Sequence, residues 1–128
     1  MKKLNYIKRS FKYALRGIVY AWKTEQNFRS EAVIGIVVFI MSLVFPLRPI
    51  QQLLIWLLIF WVLTLELINT VLERTLDIVS SKKHEYIEIA KDLMAGAVLV
   101  SAAGSLVIGA IVFYPHLETL FCKVFLNF

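Results

Sequence analysis

An acidic residue stands inside one of the most apolar stretches of this sequence, and three polar residues follow it at helical spacing. Glu66 lies within the hydrophobic run 53–72, where a carboxylate costs about 2.5–3.5 kcal/mol to insert into a membrane. At about 100° per residue, Asn69, Glu73 and Asp77 fall within about 60° of Glu66 around the helix axis. The four side chains therefore form one polar stripe, and they are the first candidates for chemistry.

More charged residues are expected at the same depth. Glu25 and Glu31 sit where a basic N-terminal segment meets the first apolar run, and Lys91 and Asp92 precede the last one. A few carboxylates together with phosphate oxygens suit Mg²⁺, which rarely takes an all-protein cage. These residues suit a magnesium–nucleotide site at the membrane surface. The spacing leaves a second explanation open, in which Glu66 is a buried carboxyl that is protonated or paired with a neighbour.

Common nucleotide-binding and catalytic motifs are absent from the sequence. It has neither a G-x-x-x-x-G-K-[ST] loop nor a G-x-G-x-x-G loop, so neither of the usual phosphate cradles is available. His84 and His116 are predicted on opposite sides of the membrane and do not suggest a zinc site. The single cysteine, Cys122, cannot form an internal disulfide, and we interpret it as a small apolar side chain.

Composition assigns the chain to the membrane. Of its 128 residues, 59% are hydrophobic, the mean hydropathy is +0.74, and a domain of this size cannot bury so much apolar surface in its own interior. Eight of the fourteen Lys and Arg residues lie in the first thirty positions, which favours contact with an anionic leaflet over nucleic-acid binding. We predict a single all-α integral membrane domain, residues 1–128, without a cleaved signal segment.

Apolar periodicity predicts one surface helix and three spans. Residues of about 4–27 form an amphipathic helix in the membrane interface, because apolar residues recur every three or four positions at Leu4, Ile7, Phe11, Leu15, Ile18 and Trp22. Spans are predicted at about 29–46, 53–72 and 93–114. The last span carries a ridge of small residues that favours close packing of another helix, formed by Ala97, Ser101, Ser105 and Gly109.

The distribution of Lys and Arg predicts the orientation. The N-terminal segment and the connection 74–92 are rich in these residues, whereas the first connection has only Arg48 and the C-terminal tail only Lys123. By the positive-inside rule, the N-terminus and the 74–92 connection are cytoplasmic and the C-terminus is outside. The candidate carboxylates are then expected at the cytoplasmic face of a cell membrane.

Several motifs resemble the prokaryotic diacylglycerol kinase family. An E-x-x-N-x-x-x-E-x-x-x-D pattern runs from Glu66 to Asp77, and the other motifs, in order along the chain, are Trp22-Lys23-Thr24-Glu25, Asn27-Phe28-Arg29-Ser30-Glu31 and Ala90-Lys91-Asp92. The resemblance extends from about Tyr13 to Pro115. The variant LELINTVLERTLD is more similar to the Gram-positive branch, whose members are undecaprenol kinases. The resemblance to this family implies a homotrimer that uses magnesium and transfers the γ-phosphate of ATP to a lipid hydroxyl.

The resemblance also implies roles for individual residues. Glu66 matches the family's catalytic base, and Glu25 and Glu73 match its metal ligands. The residues that match its nucleotide site are Tyr13, Glu25, Glu73, Asp77, Lys82, Lys83, His84, Lys91 and Asp92. Substrate-binding or supporting roles are implied for Asn69, Arg29, Glu31 and Trp22. The chain departs from the pattern where some members have an arginine near the start, because it aligns Tyr6 there with Lys8 and Arg9 beside it.

Two other classes of protein fit part of the pattern. A small oligomeric ion or proton transporter also places a carboxylate and an asparagine inside a span, but it does not need Glu25, Lys91 and Asp92 gathered at one face. A membrane subunit without activity of its own is the third reading. Branch resemblance makes undecaprenol the first choice of lipid alcohol and diacylglycerol the alternative.

Overall fold

The described part of the chain consists of four helices. The computed structural model describes residues 2–79 and 85–125, with side chains from Tyr6 onward within those ranges. Helix α1 spans Lys2–Thr24, α2 spans Gln26–Val44, α3 spans Pro49–Val79 and α4 spans Glu85–Phe125. The described ranges contain no strand, and the all-α prediction is confirmed.

Helix α1 has the amphipathic character that its sequence predicts. Its apolar stripe is largely uncovered by the rest of the chain, with Ile7 57%, Phe11 65% and Leu15 47% exposed. Ala21, near its end, is only 1% exposed, in the helix that packs against α2 and α3. A bare apolar stripe on a basic helix suits a position in the membrane interface. Leu4, the first residue of the stripe, precedes the described side chains.

The chain interrupts its helix at Glu25. The backbone of this residue is extended, with φ −105° and ψ 114°, and α2 begins at the next residue. Its N–H donates to the carbonyl of Ala21 at 2.8 Å, and its carbonyl accepts from the N–H of Arg29 at 3.3 Å. The surface helix predicted to residue 27 therefore ends at Thr24, because one extended residue is enough to redirect the chain into α2.

Helices α2, α3 and α4 are each long and apolar enough to cross a membrane. They contain 19, 31 and 41 residues, which correspond to about 28, 46 and 62 Å at 1.5 Å per residue. Since the hydrocarbon core is about 30 Å thick, α3 and α4 extend beyond it. The connection predicted at 74–92 is accordingly helical over 74–79 and 85–92, where no Gly or Pro interrupts the sequence. Site residues there are held on helices.

Helix α4 continues through Pro115, where the sequence predicts the last span to end. Proline has no N–H to offer the carbonyl of Ile111, yet the helix extends to Phe125. One turn on, the hydroxyl of Thr119 donates to the carbonyl of Pro115 at 2.8 Å. This extension carries the exposed Cys122 and none of the predicted site residues.

The apolar core sits near the junction of α2 and α3, which we call the Pro46 end. Ile55, Val112 and Phe113 are buried there, and the ring of Phe45 meets that of Phe113 edge-on at 5.8 Å. Helix α3 is central, because it packs against α1, α2 and α4. The predicted site lies toward the opposite end of the chain's helices, where α1 joins α2, and we call this the Glu25 end.

A polar clamp joins α2 to α3 at the Pro46 end. The indole N–H of Trp56 donates to Ser42 Oγ at 2.9 Å, and Gln52 Nε2 donates to the carbonyl of Ser42 at 3.2 Å. That carbonyl belongs to the last turn of α2, and the residue four positions later, Pro46, has no N–H to give it. Ser42 is 2% exposed, and the clamp gives its carbonyl the hydrogen bond that Pro46 cannot make.

Trp56→Phe is expected to lower the free energy of unfolding by about 1 kcal/mol, because it keeps an aromatic ring but removes the donor to Ser42. Reversible unfolding in mixed detergent micelles, titrated with SDS, measures this change. Trp61→Phe is the matched control, since Trp61 is 58% exposed. Equal losses of stability in the two variants would show that the clamp contributes nothing specific.

Candidate active site

Glu66 is almost completely buried within the single chain. It is 3% exposed on α3, and Asn69 and Thr70, about one turn later, are 8% and 7% exposed. The hydroxyl of Thr70 donates to the carbonyl of Glu66 at 3.0 Å. Helix α3 therefore directs the carboxylate against protein and away from surrounding lipid, which is the position typical of functional carboxylates in membrane helices.

Three other carboxylates lie close enough to Glu66 for their charges to interact with it. Its charge interacts with that of Glu73, farther along α3, and with that of Glu25 at the junction of α1 and α2. Glu31, on α2, interacts in turn with Glu66. We call Glu25, Glu31, Glu66 and Glu73 the carboxylate cluster. Two separate parts of the chain contribute to it, so the stripe predicted on α3 is one wall of a larger acidic site.

Two acceptor atoms in this region are buried without a hydrogen-bond partner among the described residues. Asn69 Nδ2 donates to Glu73 Oε1 at 3.4 Å, but Asn69 Oδ1 has no partner there. Glu31 Oε2 is also buried and unpartnered in the described ranges. A buried polar atom without a partner costs roughly 1–3 kcal/mol. The two open acceptors therefore favour a donor or a cation supplied by a ligand.

Two ion pairs flank the carboxylate cluster. Arg74 Nη2 lies 2.8 Å from Glu25 Oε1 and ties α3 to the junction of α1 and α2. Lys91 Nζ bonds to Asp77 Oδ1 and ties α4 to α3. The side chains in these pairs are between 21% and 55% exposed. The site is thus closed around Glu66 and open to solvent along its charged rim.

Arg74 is a site residue that the sequence analysis did not identify. There it served only as one of the basic residues that predict the membrane orientation. Its position beside Glu73 and three residues before Asp77 was a usable signal, since these neighbours belong to the polar stripe. Its partner, Glu25, is 49 residues away along the chain. Such a pair depends on how α3 packs against the α1–α2 junction, and no local pattern encodes that packing.

The other predicted site residues lie around the cluster or outside the described ranges. Tyr13 is exposed on α1, with the guanidinium of Arg16 lying 5.7 Å above its ring. Arg29 is exposed on α2, and Asp92 is exposed on α4. No hydrogen bond or ion pair within the described ranges joins the side chains of Tyr13, Arg29 or Asp92 to the cluster. The residues outside the described ranges are Lys82, Lys83 and His84.

Two apolar grooves adjoin the site. One, of about 430 Å³, lies between α1, α2 and α3, and its lining includes Trp22, Phe28 and Leu63. Phe28 lies midway between Glu25 and Glu31 in sequence, and Leu63 precedes Glu66 by about one turn. The other groove, of about 750 Å³, lies between α3 and α4 and includes Asp92 at its charged end. Both combine an apolar surface with a nearby carboxylate.

The donor set fits a magnesium ion that is shared with phosphate. Within the described residues, no group of three or more His, Cys, Asp and Glu side chains is arranged to enclose a metal. Mg²⁺ is usually held by only one or two carboxylates together with substrate phosphates, and Glu25 and Glu73 offer two carboxylates near Glu66. A cation there would also relieve the mutual repulsion of the cluster.

Comparison with known proteins places this chain in a family. The sequence profile described as prokaryotic diacylglycerol kinase matches residues 12–113, which contain the whole carboxylate cluster and both ion pairs. The chain belongs to the prokaryotic diacylglycerol kinase family. It is 40% identical over 114 residues to the undecaprenol kinase of Bacillus subtilis (strain 168), a match that covers 89% of this chain and 93% of that protein.

Two diacylglycerol kinases extend the comparison. The protein of Synechocystis sp. is 38% identical over 112 residues, covering 87% of this chain and 64% of that protein. The protein of Escherichia coli (strain K12) is 26% identical over 104 residues, covering 81% of this chain and 85% of that protein. As a member of the prokaryotic diacylglycerol kinase family, the chain is a lipid kinase, a phosphotransferase that acts on an alcohol group with ATP as donor. This finding favours the kinase over the transporter and the inactive subunit.

Proposed function

We propose that this protein transfers the γ-phosphate of ATP to the hydroxyl of undecaprenol, which yields undecaprenyl phosphate and ADP. The observation that carries the proposal is the burial of Glu66, 3% exposed, beside a carboxylate cluster whose rim is open to solvent. A lipid hydroxyl has to be reached from the membrane and ATP from water. One acid between those two environments meets both requirements.

Glu66 acts as the general base in this proposal. It accepts the proton of the lipid hydroxyl while the hydroxyl oxygen attacks the γ-phosphorus, and the bond from that phosphorus to the bridging oxygen breaks with its electron pair leaving on ADP. Phosphoryl transfer asks a protein chiefly for positioning and charge stabilisation. Asn69 supports the arrangement by donating to Glu73, with its free Oδ1 as a further acceptor near Glu66.

Glu25 and Glu73 are the proposed magnesium ligands. When bound, the ion neutralises charge on the phosphate oxygens and aligns the γ-phosphate for transfer. Both carboxylates lie near Glu66, and Glu25 is the single extended residue between α1 and α2. Their shared negative charge is what a cation at this position offsets.

The remaining family-matched residues are proposed to bind the nucleotide. Lys91 is held by Asp77 at the solvent-open rim, where an ammonium group can meet a polyphosphate. Tyr13 offers an exposed aromatic face for the purine. The other residues assigned to this role are Asp92, Lys82, Lys83 and His84. Glu31, with its unpartnered oxygen, and Arg29 complete the α2 side of the site.

The groove between α1, α2 and α3 is the proposed entrance for the lipid. It is apolar, has a volume of about 430 Å³ and is lined by Trp22 and Phe28 on one side and Leu63 on the other. A polyprenyl chain lying there would bring its hydroxyl toward Glu66. The helix lengths support a multi-pass membrane protein, and the Lys and Arg distribution supports a cytoplasmic N-terminus and active site.

Undecaprenol is proposed over diacylglycerol as the lipid alcohol. The support is the 40% identity to an undecaprenol kinase across nearly the whole of both chains. Diacylglycerol stays the second candidate, because the Synechocystis relative at 38% identity is a diacylglycerol kinase. We also propose a homotrimer, supported by the many exposed apolar side chains of α2, α3 and α4 and by the small-residue ridge of α4.

Purified protein in lipid vesicles is expected to transfer ³²P from γ-labelled ATP to undecaprenol faster than to diacylglycerol. The two alcohols are supplied at equal mole fraction, and the labelled products are separated by thin-layer chromatography. Faster labelling of diacylglycerol would replace undecaprenol with the second candidate. No labelled lipid with either alcohol, together with ion flux across the vesicle membrane, would overturn the proposal in favour of transport.

A further inference from the structure

One cation is bonded directly to the carboxylate cluster within the described ranges. The guanidinium of Arg74 donates from Nη2 to Glu25 Oε1 at 2.8 Å, and the same carboxylate oxygen accepts from the hydroxyl of Thr24 at 3.2 Å. Glu25 is also one of the two proposed magnesium ligands. The guanidinium of Arg74 and a bound metal ion would therefore compete for the same oxygen, Glu25 Oε1.

The pair is placed so that it can be exchanged for another cation. The side chain of Arg74 is 52% exposed and that of Glu25 is 21% exposed. Ion pairs with this much solvent access contribute little to stability, so a divalent cation that also binds phosphate can displace the guanidinium. Arg74 is also attracted to Asp77, three residues later on α3, and this attraction favours keeping the released side chain near the rim of the site.

We propose that Arg74 is an exchangeable counter-cation for Glu25. It neutralises Glu25 and closes α3 onto the α1–α2 junction while the site holds no metal. It releases Glu25 to magnesium when the nucleotide binds, and its guanidinium then bonds to the polyphosphate. This inference rests on the proposed magnesium-dependent phosphoryl transfer and adds a positioning residue to it.

The charges at the site support both halves of the exchange. The charge of Glu25 is repelled by that of Glu66, so a cation bonded to Glu25 lowers the negative charge of the cluster in the absence of metal. A nucleotide adds phosphate charge at the same rim, and arginine is well suited to phosphate because its fork of donors matches the phosphate oxygens. One flexible side chain can thus serve a carboxylate in one state and a phosphate in the other.

Arg74→Met is expected to change the affinities for metal and nucleotide in opposite directions. Binding of Mn²⁺ alone, measured by electron paramagnetic resonance on nucleotide-free protein, should become about threefold tighter because the competing cation is gone. Binding of the ATP analogue AMP-PNP in saturating Mg²⁺, measured by calorimetry, should become about tenfold weaker because a charge-assisted phosphate contact is lost. A residue with a merely structural role would not produce opposite signs.

The controls separate charge from packing. Arg48→Met removes the same charge at the Pro46 end and should leave both affinities unchanged. Arg74→Lys should return both to within about twofold of the wild type, since it restores the charge. Arg74→Gln replaces Arg74→Met if the latter does not fold, with the same expected signs. Affinities that do not move in opposite directions, or that lysine does not restore, overturn the inference.

The outcome is independent of the test of the proposed function. Wild-type protein that phosphorylates a lipid while its Arg74 variants lack the opposite shifts refutes only the role of Arg74. Wild-type protein that labels neither lipid refutes the proposed function, whatever Arg74→Met does to Mn²⁺ binding.

Discussion

Glu66→Gln is expected to lower kcat for lipid phosphorylation by about 10²–10⁴-fold, the usual contribution of a positioned general base. The amide fills the same volume but cannot take the proton of the lipid hydroxyl. Glu66 is not a proposed metal ligand, so the apparent affinities for ATP and Mg²⁺ should stay close to those of the wild type. Steady-state assays in mixed micelles, with ATP and lipid varied in turn, separate these parameters.

Glu118→Gln is the matched control for this variant. Glu118 lies beyond Pro115 on α4 and is exposed, so the same chemical change there should leave kcat intact. Unfolding titrations should show that Glu66→Gln folds as well as the wild type, because a neutral amide costs less to bury than a carboxylate. A folded Glu66→Gln protein with full turnover would remove Glu66 from the role of base.

Glu25→Gln and Glu73→Gln are each expected to shift the magnesium dependence of the reaction to higher concentration. Loss even of a supporting group near a metal costs about 10–100-fold in metal affinity, and loss of a ligand should cost at least as much. Raising Mg²⁺ should therefore restore part of the activity of these variants but none of that of Glu66→Gln. Magnesium titrations of initial rate, at fixed ATP, measure the shift.

Glu88→Gln provides the comparison for the magnesium titrations. Glu88 is exposed in the first turns of α4 and lies at the same end of the protein as the cluster. The variant therefore tests whether loss of any negative charge in this region is enough to lower the affinity for Mg²⁺. Its titration should match that of the wild type. Identical magnesium curves for Glu25→Gln, Glu73→Gln and Glu88→Gln would refute the ligand assignment.

Much of the fold was predictable because membrane helices are recognisable from their apolar composition and from their period of 3.6 residues. The stripe of Glu66, Asn69, Glu73 and Asp77 follows from 3.6 residues per turn, and in the structure Asn69 donates to Glu73 along that stripe. The lengths of apolar runs located α2, α3 and α4. They did not locate the helix ends, since a helix can continue into water or through Pro115 once it has begun.

The contacts between distant segments were less predictable. Lys91 and Asp77 were expected at similar depth, and they form an ion pair. Asp92 is one residue later, so it points about 100° away around α4, and it has no described contact with the cluster. The pair of Arg74 with Glu25 needs the α1–α2 junction to lie against α3. Residues of one helix are related by its period, whereas residues of two helices are related only by packing, which a single sequence does not display.

In the proposed mechanism, one buried acid, Glu66, activates a lipid hydroxyl beneath a solvent-open carboxylate rim. The most direct test is a single turnover of enzyme-bound γ-³²P ATP with undecaprenol in vesicles, for the wild type and Glu66→Gln, after ATP binding has been measured for both. We expect that Glu66→Gln binds ATP like the wild type yet leaves the lipid almost unlabelled. Labelling of undecaprenol by Glu66→Gln at the wild-type rate would contradict it.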